Sequence, residues 1–302
     1  MINFKKIDIQ DRQWINSLLA AADKPGCHYS FINLYGWSIV YNYHVARIRD
    51  YLVVKGELNG VPYYFFPAGH GDGLETVLQD MKQDAVDRGH EFIMYGLSPE
   101  EVEDLKRIFP GAFTFEEKRN SFDYVYSLDK LVNLSGKKFQ AKRNYINRFK
   151  ENNEWAFEEI TAGNLNECWE ISKKWCELYR CKDDRMLEDE QCVVRRFLQH
   201  YFELGLEGGL LRVDGKVVAF TMGSKLNSDT YDIHIEKAFR EIQGAYQTIN
   251  REFAAFIQKK HPDIIYVNRE EDVGLPGLRK SKLSYHPVRL EIKYAAKYLG
   301  KH

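Results

Sequence analysis

At 302 residues the chain has room for one large domain or two of about 150 residues, each with its own apolar core. Hydrophobic residues at 44%, charged residues at 29% and a formal net charge of −1 describe an ordinary globular chain and exclude a surface coated in basic charge for general nucleic-acid binding. Any anion site must therefore be local. The opening MINFKKIDIQDRQ has no apolar signal-peptide core, and no run approaches the ~18 apolar residues of a membrane span. The expectation is a cytoplasmic protein with no transmembrane segment. The five cysteines form no CxxC pair, so reduced thiols are expected, with Cys168 and Cys176 buried on a helix and no metal bound.

In chain order, the first half reads as a short strand (INFKKIDI), a helix (DRQWINSLLAAA) and an aromatic helical stretch (SFINLYGWSIVYN). Two strands follow, VARIRDYLVVKGEL and VPYYFFPAG, joined at the hairpin signal Asn59-Gly60. Next come a helix (GLETVLQDMKQDAVDRG), a strand (EFIMYGL), a helix started by Ser98 and Pro99, and a strand pair near AFTFEEKRNSFDYVYSL. The second half opens with the basic helix GKKFQAKRNYINRFKEN and then repeats the order. It runs through WAFEEIT, two helices, three strands (GGLLRVD, KVVAFTMGSKL, TYDIHIEKA), a helix (AYQTINREFAAFIQKK), DIIYVN and VRLEIKY. The recurrence predicts an α/β protein in α+β order, built as two duplicated domains, 1–130 and 131–302, each a mixed sheet flanked by helices. The first copy shows no clear third meander strand, which makes the second the better candidate for chemistry.

This order resembles the acyl-CoA N-acyltransferase (GNAT) fold in tandem, as in the aminoacyl-tRNA-dependent transferases of the Fem type. The segments CHYSFINLYGW, LSGKKFQAKRNYINRF and NREEDVGLPGLRKSKLSYHPVR resemble the phosphatidylglycerol lysyltransferase C-terminal domain family, in its stand-alone members. The resemblance implies transfer of an acyl or aminoacyl group to an amine or hydroxyl, such as a phospholipid head group. The co-substrate would be aminoacyl-tRNA or acyl-CoA, with no tightly bound cofactor and peripheral contact with anionic membrane lipid. From another class, the rival is a non-catalytic protein that binds an anionic ligand or RNA.

Tyr231 to Glu236 alternates strictly, so Asp232, His234 and Glu236 share one face of a middle strand. A histidine flanked by carboxylates can take a proton from an attacking group; a solvated face paired to Lys225 is the alternative. In a GNAT-like domain the donor meets the N–H groups of a helix start, here Arg240, Gln243, Gly244 and Ala245. Gly244 falls one position late for the acyl-CoA pattern. In NREEDVGLPGLRKSKLSYHP, acids and bases stand in separate blocks around Gly274 to Gly277. Glu270 and Glu271 would orient a cationic amine, and Arg269, Arg279, Lys280 and Lys282 would hold phosphate; a charged surface loop is the alternative. By analogy with the fold, Tyr285 would give a proton to the leaving group. Positive φ is expected at Gly277. The basic segment Gly136 to Lys150 offers Lys138, Lys142 and Arg143 to phosphate, with Lys138 and Lys142 as i, i+4 neighbours on one helix; a solvated basic face is the alternative. PAGHGDG is read as a plain glycine-rich turn.

Overall fold

The computed structural model describes residues 1–300. Strands β1 (Lys5–Lys6), β2 (His44–Ile48), β3 (Tyr51–Leu58), β4 (Val61–Phe65), β5 (Ala68–Gly69), β6 (Ile93–Leu97) and β7 (Phe113–Glu117) belong to the first half. Helices α1 (Arg12–Ala22), α2 (Phe31–Tyr41), α3 (Leu74–Asp87) and α4 (Pro99–Ile108) accompany them. The remaining strands are β8 (Asp123–Ser127), β9 (Trp155–Glu159), β10 (Glu207–Val213), β11 (Lys216–Lys225), β12 (Thr230–Ala238), β13 (Tyr266–Asn268), β14 (Arg289–Glu291) and β15 (Tyr294–Tyr298). The later helices are α5 (Leu128–Asn133), α6 (Gln140–Asn152), α7 (Leu165–Leu178), α8 (Arg185–Gln199), α9 (Tyr201–Leu204), α10 (Ala245–Lys260) and α11 (Pro276–Leu283).

Two sheets form, in the orders β1-β2-β3-β4-β6-β15-β7 and β9-β10-β11-β12-β13-β8-β14, with β5 paired to β3. In each, four antiparallel strands lead to one parallel neighbour (β4 with β6, β12 with β13), and the next strand is antiparallel. The sixth strand comes from the other half of the sequence in both cases: β15 in the first sheet, β8 in the second. The duplication read from the sequence is therefore present as topology, with its closing strands exchanged.

That exchange changes the domain boundaries. The compact units are residues 1–124 with 271–280 and 290 onward, and residues 125–270 with 281–289. A continuous second domain over 131–302 is not what forms, because pairing of β15 with β6 and β7 returns the C-terminal segment to the first unit. The first meander is also complete, contrary to expectation. The stretch VARIRDYLVV breaks into β2 and β3 at Arg49-Asp50, where Arg49 takes φ +53°. A turn made without glycine or proline left no mark to read.

The apolar pattern places the cores. In the first unit Val77, Leu78, Met81 and Ala85 of α3 pack with Val53, Tyr64 and Met94 of the sheet, all buried. In the second, Ala245 and Ile249 of α10 meet Phe149, Leu211 and Ala219. Ser98 caps α4 with Glu101 closing a capping box and Pro99 in the first turn, as the sequence indicated. One thiol expectation fails: Cys176 and Cys181 are joined in a disulfide. Arg180 in the left-handed region folds the end of α7 back and brings their Cα atoms to 5.0 Å. Cys168 is a buried free thiol, pushed up to about 12 by burial.

Candidate functional site

β12 lies inside the second sheet between β11 and β13. Its register against β11 jumps: Met222 faces Ile235 and Gly223 faces Ile233, so His234 is the extra residue of a bulge. Gly223 is required beside it, because a Cβ there would stand 2.1 Å from the Asp232 carbonyl oxygen. The close approach puts Ser224 opposite Asp232. On the other side, parallel pairing sets Asn268 beside Asp232. The Asn268 side chain then holds the Glu270 N–H at 2.7 Å, and Glu270 takes φ +53°, turning its carboxylate to His234.

His234 Nδ1 lies 3.2 Å from Glu270 Oε1 and 3.5 Å from Asp232 Oδ2, and its Nε2 lies 2.9 Å from Ser224 Oγ. Ionised carboxylates only accept, so Nδ1 carries the proton and Nε2 accepts from the serine hydroxyl. This is a hydroxyl–imidazole–carboxylate line, with a second carboxylate in support. Such a line can pass a proton between Ser224 Oγ and the imidazole, and Ser224 is itself buried. The ligand atoms of Asp232, His234 and Glu270 lie within 4.8 Å of one another, a donor set that also suits a divalent cation.

Glu236, the third member of the alternating set, does not join His234. It receives Arg269 Nη2 at 2.8 Å and Asn250 Nδ2 at 3.1 Å. Arg269 lies over the rings of Tyr126 and Tyr285, at 5.7 and 5.1 Å, while its Nη1 is buried with no hydrogen-bond partner. Tyr285 is buried, and burial pushes its phenol up against the opposing charge of Arg269, so it keeps its proton at neutral pH. Lys142 Nζ stands 4.0 Å from the Tyr285 ring centre and donates to Ser284 Oγ at 2.7 Å. Burial, with the charge of Arg269, pushes this ammonium down to about 8.

Several cations expected to face phosphate are committed to protein acceptors. Arg143 donates to the carbonyls of Leu134 and Gly136. Lys282 is buried and donates to the carbonyls of Arg269 and Glu270. Arg279 forms a two-pronged pair with Asp272 at 2.8 and 2.9 Å. Burial works to raise the Asp272 carboxyl, but bonds from Arg279, Tyr124 and the Gly274 N–H outweigh it and hold it well below the usual range. The separated charges thus brace their own loop. Lys138 and Lys280 are exposed. Lys138 sits in a 3-10 turn (Lys137–Phe139) before α6 begins at Gln140, so it is not a helical neighbour of Lys142.

Glu271 belongs to the first unit, 3.4 Å from Lys293 Nζ. Lys293 is also 2.6 Å from Asp123 Oδ1 and 3.4 Å from Cys27 Sγ, so an ammonium already stands among the possible metal ligands Cys27, Asp123 and Glu271. At the start of α10, Gly244 takes φ +90° with its Cα against α6: a Cβ would meet the Tyr145 carbonyl oxygen at 2.5 Å. The Ala245 N–H is taken by Ile242, Gln243 is exposed, and Arg240 lies over the Tyr179 ring at 4.4 Å. Gly277 has ordinary helical surroundings inside α11; positive φ falls at Gly274 instead, at +81°. Sequence reading missed Ser224, Asn250, Asp123 and Lys293. None left a local mark, since Ser224 stands opposite Asp232 only through the register of β11 against β12.

Residues 19–297 match the family described as phosphatidylglycerol lysyltransferase, C-terminal. A conserved protein of unknown function from Bacteroides thetaiotaomicron is 41% identical, with a TM-score of 0.94 over 99% of this chain and 100% of that one. L-PGS from Bacillus licheniformis shares 18% identity at a TM-score of 0.67, covering 99% of this chain and 94% of that chain. FemX shares 9% at 0.66, covering 99% and 98%, and with a tandem GNAT protein of the clavulanic acid pathway it identifies the fold as tandem GNAT-like. An uncharacterized protein of Mycoplasmoides gallisepticum is 25% identical over 60% of this chain, and the match spans 57% of that protein's length. With nearly its whole length matched, the chain belongs to the phosphatidylglycerol lysyltransferase C-terminal domain family.

Proposed function

We propose that the chain transfers an aminoacyl group from an activated ester donor to an amine or hydroxyl acceptor, with the chemistry in the second unit. The observation that carries this reading is the Ser224–His234–Glu270 line at the bulge, with Asp232 beside it. Family membership supports the class of reaction. The acceptor's N–H or O–H gives its proton to Ser224 Oγ as Ser224 passes its own to His234 Nε2. The two carboxylates stabilise the imidazolium. The acceptor attacks the ester carbonyl directly, with no covalent enzyme intermediate. In this reading Arg269 Nη1, buried and unpaired, would meet the developing oxyanion or a phosphate. Tyr285 protonates the departing hydroxyl of the donor.

Aminoacyl-tRNA is the donor this reading favours over acyl-CoA. The α10 start has its Ala245 N–H already bonded and Gly244 packed on α6, which leaves less of a cradle for a pyrophosphate. Lys138 and Lys280, both exposed, remain available to RNA phosphate or anionic lipid. Among the described residues no helix is long and apolar enough to cross a membrane, and peripheral contact with a lipid acceptor is part of this reading. The experiment pairs two donors, radiolabelled aminoacyl-tRNA and acetyl-CoA, with phosphatidylglycerol vesicles and soluble amines. Label should move from aminoacyl-tRNA to an acceptor. Transfer from acetyl-CoA alone would replace the donor, and transfer from neither would leave a binding protein.

A further inference from the structure

From Lys137 to Lys150 the chain carries six cations and no carboxylate, although its net charge is −1. The structure gives this basic segment two sides. Phe139, Ile146 and Phe149 are buried, and Phe149 packs with Ala245 and Ile249 of α10 in the core of the second unit. Arg143 is bonded to the carbonyls of Leu134 and Gly136, and Lys150 is paired with Glu252. The other side holds Lys137, Lys138, Asn144, Tyr145, Asn147 and Arg148, all exposed. Among the described residues, Lys137, Lys138 and Arg148 form no ion pair, and Tyr145, 40% exposed, meets no other ring. Acids nearby are engaged or distant along the helix. Glu252 is shared by Lys150 and Arg251, Glu241 is bonded to Tyr179, and Glu151 stands at the far end of α6.

This face leads to the candidate site. Gly244 lies so close to α6 that an added Cβ would meet the Tyr145 carbonyl oxygen at 2.5 Å, so the helix rests directly on the start of α10. Lys142, three residues before Tyr145 and hence its neighbour on the helix surface, stands 4.0 Å from the Tyr285 ring centre. A group resting on Tyr145 is therefore one helical turn, about 5 Å along the axis, from the Lys142 end of the site.

Unpaired cations around an exposed phenol ring, with side-chain amides between them, fit single-stranded RNA. The cations follow phosphates, and the ring offers a stacking surface to a base. A bilayer fits less well, because the large apolar side chains of the segment are all turned into the core and none is left to enter the acyl region. We propose that this face of α6, with the turn before it, binds the single-stranded 3′ end of the RNA donor. Lys137, Lys138 and Arg148 meet its phosphates, and one base stacks on Tyr145. The proposal rests on the reading of aminoacyl-tRNA as donor, and it brings the esterified end of that RNA to Lys142 and Tyr285.

The test uses the full chain, without acceptor, and a fluorescein-labelled RNA stem–loop with a short single-stranded 3′ end, read by anisotropy. Replacing Lys137, Lys138 and Arg148 together by glutamine should weaken binding by ~10-fold or more at low salt. The slope of log affinity against log salt should become shallower by about 2. Tyr145→Ala should weaken binding by ~5-fold or more with the slope unchanged, and Tyr145→Trp should keep it. A blunt-ended duplex should sense neither Tyr145 change. The Tm of each variant should stay level, since the replaced side chains are exposed. Unchanged affinity and slope in the triple variant, or unchanged affinity in Tyr145→Ala, would overturn the proposal. So would loss of binding to phosphatidylglycerol vesicles with RNA binding intact, which would give the face to lipid. If the triple variant fails to fold, Arg148→Gln carries the test: a slope shallower by ~0.7 supports the face, and an identical slope overturns it. Binding is read without turnover, so the two readings fail separately. RNA held on this face by a protein that transfers nothing removes the reaction and keeps the surface; transfer that none of these changes slows removes the surface and keeps the reaction.

Discussion

Ser224 is the residue on which the proposed chemistry turns, because both nitrogens of His234 are already engaged. Ser224→Ala removes one hydroxyl from a buried strand position and leaves the imidazole held by its carboxylates. Transfer should fall by ~100-fold or more with little change in melting temperature, measured on one preparation. Lys142 gives a second residue-scale prediction. Its folded pKa of about 8 lies below the ordinary lysine value. Below about 8 both folded and unfolded states carry the charge, so its burial penalty is full. Between there and the unfolded pKa the folded chain sheds the proton first, and stability rises with pH. Carbon-13 NMR of the Lys142 Cε should titrate near 8; a midpoint at the ordinary lysine value would show that the ammonium is well solvated. In the first unit, burial acts to raise the Asp123 carboxyl, and Lys293 outweighs it and holds it down. This stabilisation is present above the unfolded carboxylate pKa and lost as pH falls through the folded one. Lys293→Met should cost about 3–5 kcal/mol by denaturant unfolding at neutral pH, and adding Asp123→Asn should recover part of it. Equal stability of wild type and Lys293→Met would refute the pairing.

At the scale of elements, Gly274 and Gly277 separate two accounts of one loop. Gly277 is helical with nothing within 4 Å of an added Cβ, so Gly277→Val should change stability by less than ~1 kcal/mol. Gly274 has φ +81° and an added Cβ would meet the Asn120 side chain at 2.8 Å, so Gly274→Val should cost ~1–3 kcal/mol. Thermal unfolding of the two variants checks the pair, and a reversed order would contradict the structure. The same contrast shows what sequence could reveal. Asn59-Gly60 adopts positive φ at both turn positions, and its hairpin was legible for that reason. Arg49-Asp50 makes a comparable turn with no such residues and was read through as one strand. Alternation located Asp232 and His234, but the bulge depends on how Gly223 meets β12, which is a property of two strands. Ser224 became visible only with that register.

The whole molecule repeats one sheet topology twice, and the repeat was readable because each half buries its own periodic apolar faces. The exchange of β8 and β15 was not, since long-range strand pairing leaves no local signature. For the same reason NREED reads as one charged block, although Arg269 and Glu270 serve the second unit while Glu271 and Asp272 belong to the first. The central claim is that the second unit performs aminoacyl transfer through the Ser224–His234 relay. Its most direct test is a single-turnover reaction of 14C-labelled aminoacyl-tRNA with phosphatidylglycerol vesicles, comparing wild type with His234→Gln. Label should pass to the lipid with wild type and slow by ~100-fold or more in the variant, with tRNA binding and Tm preserved. Equal transfer by both proteins would contradict the account.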